Sequence, residues 1–307
     1  MIYTLTANPS LDYIVRVHNL EIGETNRAYE TEIFAGGKGF NVSTILANLG
    51  HDSLACGFVS GFTGQELYRL LGPRSFKKNL IDCTGLTRIN VKLKADQETE
   101  INGTGLMIDQ TQIQKLLDCL DQIRDEDVLI LSGSIPECLE KTFYASLLER
   151  YKDRKILSVV DASGALLKNA LCWHPFLVKP NQAEIEDLLG IRISNEQELI
   201  DAGRTLQKEG ARNVLISRGA KGAMLIGEDG RVYKAGCPQG KLVNSVGSGD
   251  SMVAGFVAGW LETHELEKAF VNGIYCGSAT AFSADLASGE QIAALKNSSP
   301  VEVFIED

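Results

Sequence analysis

Asn244-Ser245-Val246-Gly247-Ser248-Gly249-Asp250-Ser251 runs straight into the apolar stretch Met252 to Trp260. Two glycines around a serine allow a tight turn with converging backbone N–H groups, and the helix expected from Met252 points its positive N-terminal end at the same spot. The turn is a candidate anion hole. Asp250 stands at its mouth, where a carboxylate either caps the helix or accepts a proton from an alcohol poised to attack a phosphate. The local sequence alone favours the cap. Far upstream, Gly36-Gly37-Lys38-Gly39 also opens onto a helical pattern, with Phe40, Val42, Ile45, Leu46 and Leu49 at helical spacing. Two such turns, one carrying a lysine and the other an aspartate, suit phosphoryl transfer between two anionic ligands.

Between the two turns, Asp127 to Leu131, Ile156 to Val160, Phe176 to Val178 and Val214 to Ile216 are continuous apolar runs separated by helical patterns, as in strands covered on both faces. They end in Ser132-Gly133-Ser134, Asp161-Ala162-Ser163, Lys179-Pro180-Asn181 and Ser217-Arg218-Gly219. Ligands of open α/β sheets bind outside the carboxyl ends of the strands, so these termini are expected to line one crevice. Ile2 to Ala7 is a further strand, ending at Asn8-Pro9-Ser10 and placing Asp12 just past a strand end, a position usually solvated. Tyr13 to Val17, Arg27 to Phe34, Arg88 to Lys94 and Thr99 to Asn102 alternate instead, which predicts a small antiparallel sheet with one face buried. The fold class is α/β: a three-layer αβα sandwich with a mostly parallel central sheet plus a small β-sheet lid. Residues 1–307 form a single domain, with the lid inserted at about 12–35 and 86–104.

With 44% hydrophobic and 23% charged residues, the 307-residue chain has the composition of an ordinary globular protein. A net charge of -10 argues against nucleic-acid or anionic-membrane partners, which require a basic face. The seven cysteines form no C-x-x-C pair and read as thiols in a reducing compartment; with no basic leader, a cytoplasmic location is expected. Met252 to Leu261 is too short to span a bilayer. Gly247-Ser248-Gly249 lacks the third glycine of a dinucleotide fingerprint, and nothing fits a Walker P-loop.

Asn8-Pro9-Ser10-Leu11-Asp12, Gly36 to Val42, Ser132 to Pro136, Lys179-Pro180-Asn181 with Glu184, and Asn244 to Ser251 together resemble the ribokinase-like (PfkB) carbohydrate kinase family, in order from Met1 to about Ser283. The resemblance is nearest to its bacterial 1-phosphofructokinase branch, with the tagatose-6-phosphate kinases next. Thr87 to Lys92 with Glu98 to Gly103 is the main pointer to fructose 1-phosphate. It implies a ribokinase-like fold, ATP and Mg²⁺ as cofactors, and a homodimer joined through the lid.

It also implies roles. Asp250 would be the base, and Gly247, Ser248 and Gly249 would hold the transferring phosphoryl. Asp12 and Asn41 would bind sugar hydroxyls, with Gly37 permitting close approach. Lys38, Arg88 and Ser134, with Arg27 from a partner's lid, would meet the sugar's phosphate. Asn181 and Glu184 would organise Mg²⁺ and the nucleotide phosphates, Glu184 as the metal residue. Ser217, Gly219 and Gly222 would border ATP, with Asn272 near the base. Blander readings stand beside these. Glu184 occupies a first helical turn, where acids are favoured anyway. Arg88 and Lys92 share a strand face on which basic residues are ordinarily solvated, Ser134 can cap the Pro136 turn, and Asn272 can be a packing residue. Ser248, Ser60 and Gly105-Leu106 depart from the family's usual Ala, Gly and Gly-Pro. Tagatose 6-phosphate as substrate, or a non-catalytic sugar-phosphate regulator, are the alternatives.

Overall fold

The computed structural model describes residues 1–306. The chain alternates β1 (Ile2–Thr6), β2 (Ser10–Arg16), β3 (Glu30–Gly36), α1 (Lys38–Asn48), β4 (Ser53–Val59), α2 (Gly61–Leu71), β5 (Lys77–Asp82), β6 (Arg88–Lys94) and β7 (Glu98–Asn102). There follow α3 (Gln110–Leu120), β8 (Val128–Ser132), α4 (Phe143–Arg150), β9 (Leu157–Asp161), α5 (Gly164–Leu171), β10 (Leu177–Val178), α6 (Gln182–Leu189), α7 (Glu196–Lys208) and β11 (Asn213–Ser217). Last come β12 (Ala223–Ile226), β13 (Val232–Ala235), α8 (Ser248–Thr263), α9 (Leu266–Ala281), α10 (Gly289–Ser298) and β14 (Phe304–Glu306).

Ten strands form the central sheet in the order β14-β13-β12-β11-β10-β9-β8-β1-β4-β5. From β11 to β5 every neighbour is parallel. The apolar runs expected as two-sided strands are these, and both faces are covered. Leu116 and Leu120 of α3, Tyr144 and Leu148 of α4 and Ile185 of α6 pack on one side. Val42 and Ile45 of α1, the apolar stretch of α8, and Phe270 and Ile274 of α9 pack on the other. Three layers result. Sequence order runs outward from β1 in both directions, to β4 and β5 on one side and to β8, β9 and β10 on the other. The β1/β8 junction is therefore a topological switch point, where a crevice opens at the strands' carboxyl ends.

Two parts of the sheet have no counterpart in the sequence reading. β5, an edge strand of mixed polarity, lacks the continuous apolar signal of its neighbours. β12, β13 and β14 extend the other edge in antiparallel fashion. Four- and three-residue strands carry too few side chains to show a period.

The lid is a separate four-stranded sheet in the order β3-β2-β6-β7. The expectation of a purely antiparallel lid is corrected: β2 and β6 pair in parallel, Ser10 opposite Arg88 through Arg16 opposite Lys94. β2 and β6 both leave the body at its carboxyl-end surface, so they enter the lid in the same direction. Asp12 follows the end of β1 as expected, but it lies inside β2 and is largely buried rather than solvated.

Candidate active site

The ends of β1, β8, β9 and β10, the starts of α1 and α8, and one face of the lid enclose a cavity of about 510 Å³. This is the size of a small-molecule site.

At its floor, Gly247 adopts φ 78°, the left-handed conformation that glycine tolerates, and occupies the N-cap position of α8. The N–H of Ser248 is used within the turn, donating to the Ser245 carbonyl at 3.2 Å. Those of Gly249 and Asp250 have no acceptor among the described residues. They point from the positive end of a sixteen-residue helix. Asp250 is not the cap. It lies in the first turn, 6% exposed, and its Oδ2 accepts from Asn41 Nδ2 of α1 at 2.8 Å. Burial and the nearby Asp161 push its pKa up to about 6, against the opposing pull of Lys38, Asn41 and Lys179. A carboxylate so poised is basic enough to take a proton and still ionised at neutral pH.

Asp161, at the end of β9, is 2% exposed, and its Oδ1 receives Lys38 Nζ at 3.3 Å and Lys179 Nζ at 3.4 Å. Burial alone would raise its pKa, but the two lysines hold the carboxyl below its ordinary value. Desolvation works against the Lys38 ammonium, yet Asp161, Asp250 and Glu184 keep its pKa above the usual lysine range. Lys179 lies against the α8 turn: a Cβ on Gly249 would stand 3.2 Å from Lys179 Nζ.

From the lid, period-two alternation turns Arg88, Asn90 and Lys92 of β6 to the cavity. Asp12 Oδ1 accepts from Ser10 Oγ at 2.8 Å and Asn90 Nδ2 at 3.1 Å, and Asp12 Oδ2 pairs with Lys92 at 3.4 Å. Arg88 donates to the Asn8 carbonyl at 3.2 Å and to Ser134 Oγ at 3.4 Å. Thr6 Oγ1, Asn8 Oδ1, Asn90 Oδ1 and Ser132 Oγ, all in cavity-lining residues, are buried without a hydrogen-bond partner. Buried polar atoms are rarely left so, and four of them belong to residues around this one cavity.

The family model described as pfkB family carbohydrate kinase matches residues 6–292. The chain belongs to that family. This carbohydrate kinase is 43% identical to the 1-phosphofructokinase of Bacillus subtilis (strain 168) over 94% of its own length and 95% of that protein's. It is 34% identical to the D-tagatose-1-phosphate kinase of Bacillus licheniformis, over 93% and 94% of the two chains. Its fold matches the crystal structure of phosphofructokinase-2 from Escherichia coli in complex with substrates and products, with a TM-score of 0.90 at 26% identity, covering 96% of this chain and 98% of that one.

Within this kinase, Asp12, Gly37, Lys38, Asn41, Arg88, Ser134, Glu184, Gly247, Gly249 and Asp250 line the cavity together. Ser248 stands beside it, its hydroxyl turned to the Ser245 carbonyl at 2.8 Å. Asn181, Ser217, Gly219 and Gly222 do not line the cavity: Asn181, between its lining residues Lys179 and Glu184, forms a β-bridge with Ser217, and Gly219 and Gly222 follow with φ of 57° and 86°. Two residues are placed elsewhere. Asn272 joins α9 to α8, donating to the Gly255 carbonyl at 2.7 Å. Arg27 is exposed between β2 and β3. Ser60 is also outside the cavity, its hydroxyl bonded to the carbonyls of Cys83 and Gly85.

Asp161, Lys179, Asn90 and Lys92 are the residues the sequence reading passed over. The strand-end rule pointed at Asp161 and Lys179, and strand alternation placed Lys92 beside Arg88; what the sequence lacks is the pairing that buries them.

Glu184 and Asn181 form a reciprocal capping box on α6, at 2.8 and 2.9 Å, so the bland reading of Glu184 is realised. One Glu184 oxygen is left over. Mg²⁺ characteristically takes one or two carboxylates and completes its shell with water and substrate phosphates, so these residues fit that ion. Among the described residues no group of three acidic, His or Cys side chains forms a metal cage. None of the described helices is long and apolar enough to cross a membrane.

Proposed function

We propose that this kinase transfers the γ-phosphoryl group of ATP, with Mg²⁺, to the 6-hydroxyl of D-fructose 1-phosphate, giving fructose 1,6-bisphosphate and ADP. The carrying observation is the pairing of a buried base, Asp250, with N–H donors of an unsatisfied helix start. Asp250 takes the hydroxyl proton as the new O–P bond forms and the bond to ADP breaks, while Gly249 and Asp250 N–H groups and Lys179 stabilise the passing phosphoryl. Arg88 and Lys92 supply the cations that a substrate already carrying a phosphate needs in a protein of net charge -10; Lys38, expected at that phosphate, stands on Asp161 instead and is assigned to the transferring group. Asp12 and Asn90, which line the cavity, read its hydroxyls. Glu184 would hold Mg²⁺ against the nucleotide phosphates, where the ion offsets their charge; Asn181, Ser217, Gly219 and Gly222 border the nucleotide.

D-tagatose 1-phosphate presents the same phosphate and the same attacked hydroxyl, and the likeness to a kinase named for it makes it the second reading. Measuring ADP release with D-fructose 1-phosphate, D-tagatose 1-phosphate, D-tagatose 6-phosphate and free fructose tests both. The highest kcat/KM is expected for fructose 1-phosphate; free fructose matching it would overturn the sugar-phosphate reading.

The lid's outer face supports a homodimer. Tyr13, Ile33, Val91 and Ile101 form one apolar row across its four strands, with Ile33 46% and Ile101 63% exposed. Covering that row with a second lid removes it from water and brings a partner's Arg27 loop towards the cavity mouth. Ile101→Glu is expected to shift the sedimenting species from dimer to monomer; an unchanged mass would exclude lid-to-lid assembly.

A further inference from the structure

The most heavily buried charge at the transfer site belongs to a residue that makes no contact with either end of the proposed reaction. Asp161 is 2% exposed, it receives two ammonium groups on one oxygen, and its Oδ2 is buried with no partner. Lys38 comes from the start of α1 and Lys179 from the end of β10, so the carboxylate on β9 ties a helix to a neighbouring strand. Neither lysine has another carboxylate within ion-pair distance among the described residues. Lys179 is 7% exposed on its side chain, nearly as buried as its partner.

Burying a carboxylate is costly, and two apolar residues would pack such a site at less cost. The arrangement becomes intelligible from what the lysines would do without it. Both act on Asp250 electrostatically, and with Asp161 absent Asp250 is the buried anion that attracts both, although Glu184 also acts on Lys38. Pairing with Asp250 would make that carboxylate a weaker base and take both cations away from an arriving phosphoryl group.

We propose that Asp161 is a positioning residue, which holds the ammonium groups of Lys38 and Lys179 at the transfer site for the phosphoryl group and off the base Asp250. The inference rests on the reading of Asp250 as base. With both aspartates ionised and both lysines charged, these four groups sum to zero. When the attacking hydroxyl gives its proton to Asp250, the sum becomes +1, just as the anionic phosphoryl passes between them. Other groups facing the base are the Asn41 amide from α1 and, around the same cavity, Glu184 of α6 and Asp12, Arg88 and Lys92 of the lid. All are unchanged by a substitution at Asp161.

The test is the pH dependence of kcat/KM for fructose 1-phosphate, at saturating ATP and Mg²⁺, in full-length Asp161→Asn and Lys179→Met proteins. Asp161→Asn is close to isosteric; it is expected to lower kcat by roughly tenfold or more and to move the acid midpoint down by about one pH unit, because Asp250 loses a repelling neighbour and gains two attracting ones. Lys179→Met is expected to move the midpoint up. Shifts of opposite sign are something that a residue needed only for packing would not produce. Should Asp161→Asn lose its thermal transition, Lys38→Met joins Lys179→Met, and both must shift the midpoint upward. An unmoved midpoint, or shifts of the same sign, overturns the proposal. Failure of the underlying reading looks different: Asp250→Asn would then keep its turnover.

Discussion

Asn41 Nδ2 donates to Asp250 Oδ2 at 2.8 Å, joining residues 209 positions apart on two helices that start at the same cavity. The bond stabilises the ionised carboxylate, one of the few influences opposing its burial. Activity should accordingly fall as pH drops through about 6, where Asp250 becomes protonated. Asn41→Ala should move that limb to higher pH, since the ionised form loses a donor. A pH profile of kcat/KM identical to wild type would break the link between this bond and the base.

Asp250→Asn keeps the acceptor for Asn41 but removes the base. ATP affinity, measured by calorimetry, should change little while kcat falls by about two to four orders of magnitude. The same substitution should stabilise the protein. The folded-state pKa of Asp250 lies above its unfolded value, so the stability this group contributes is fully present below the unfolded pKa and lost as pH rises through about 6. At pH 7.5 the buried charge costs on the order of 1–3 kcal/mol. Thermal denaturation should show the variant gaining stability at pH 7.5 and losing that advantage towards pH 4.

Gly249→Val should abolish phosphoryl transfer and leave the protein folded. The turn's left-handed residue is Gly247, not Gly249, so a side chain at 249 fits the backbone but meets Lys179 Nζ, 3.2 Å from its Cβ, and occupies the space beside the free N–H groups. Circular dichroism and a kinase assay check the two halves. A variant that unfolds would mean that Gly249 serves packing.

Arg88→Ala should raise KM for fructose 1-phosphate by at least about tenfold with little change in KM for ATP, as expected when a contact binding ground and transition states alike is removed. Free fructose turnover should hardly respond. A defect confined to ATP would place the arginine on the nucleotide side.

Much of this was legible because two-sided strands announce themselves: β8, β9, β10 and β11 are mostly apolar, and the polar residues that end β8, β9 and β10 come together at the cavity. The glycine turn that opens α8 was legible in Gly247 and Gly249. What escaped depends on partners distant in sequence. Asp161 carries no local mark of its burial, since Lys38 lies 123 residues away. Lys92 looks like a solvated lysine until β2 places Asp12 within reach. For Asn272 the packing reading is what the fold displays, a polar residue of α9 bonded across to α8.

The lid is rooted along one edge. Ser10, Gly36 and Arg88 share its first row, and Asn102 of β7 returns beside Asn90 in the next, so all four strands join the body there. The last row, with Arg16, Glu30, Lys94 and Glu98, is six residues further out. At about 3.3 Å per residue that is a lever of about 20 Å, and a swing of about 10° would carry its tip about 3 Å while barely displacing the root. Arg88, Asp12 and Asn90 sit near the pivot. If Arg88, Asp12 and Asn90 hold the sugar as proposed, a lid motion about this root would leave their grip in place while the outer rows moved over the cavity mouth.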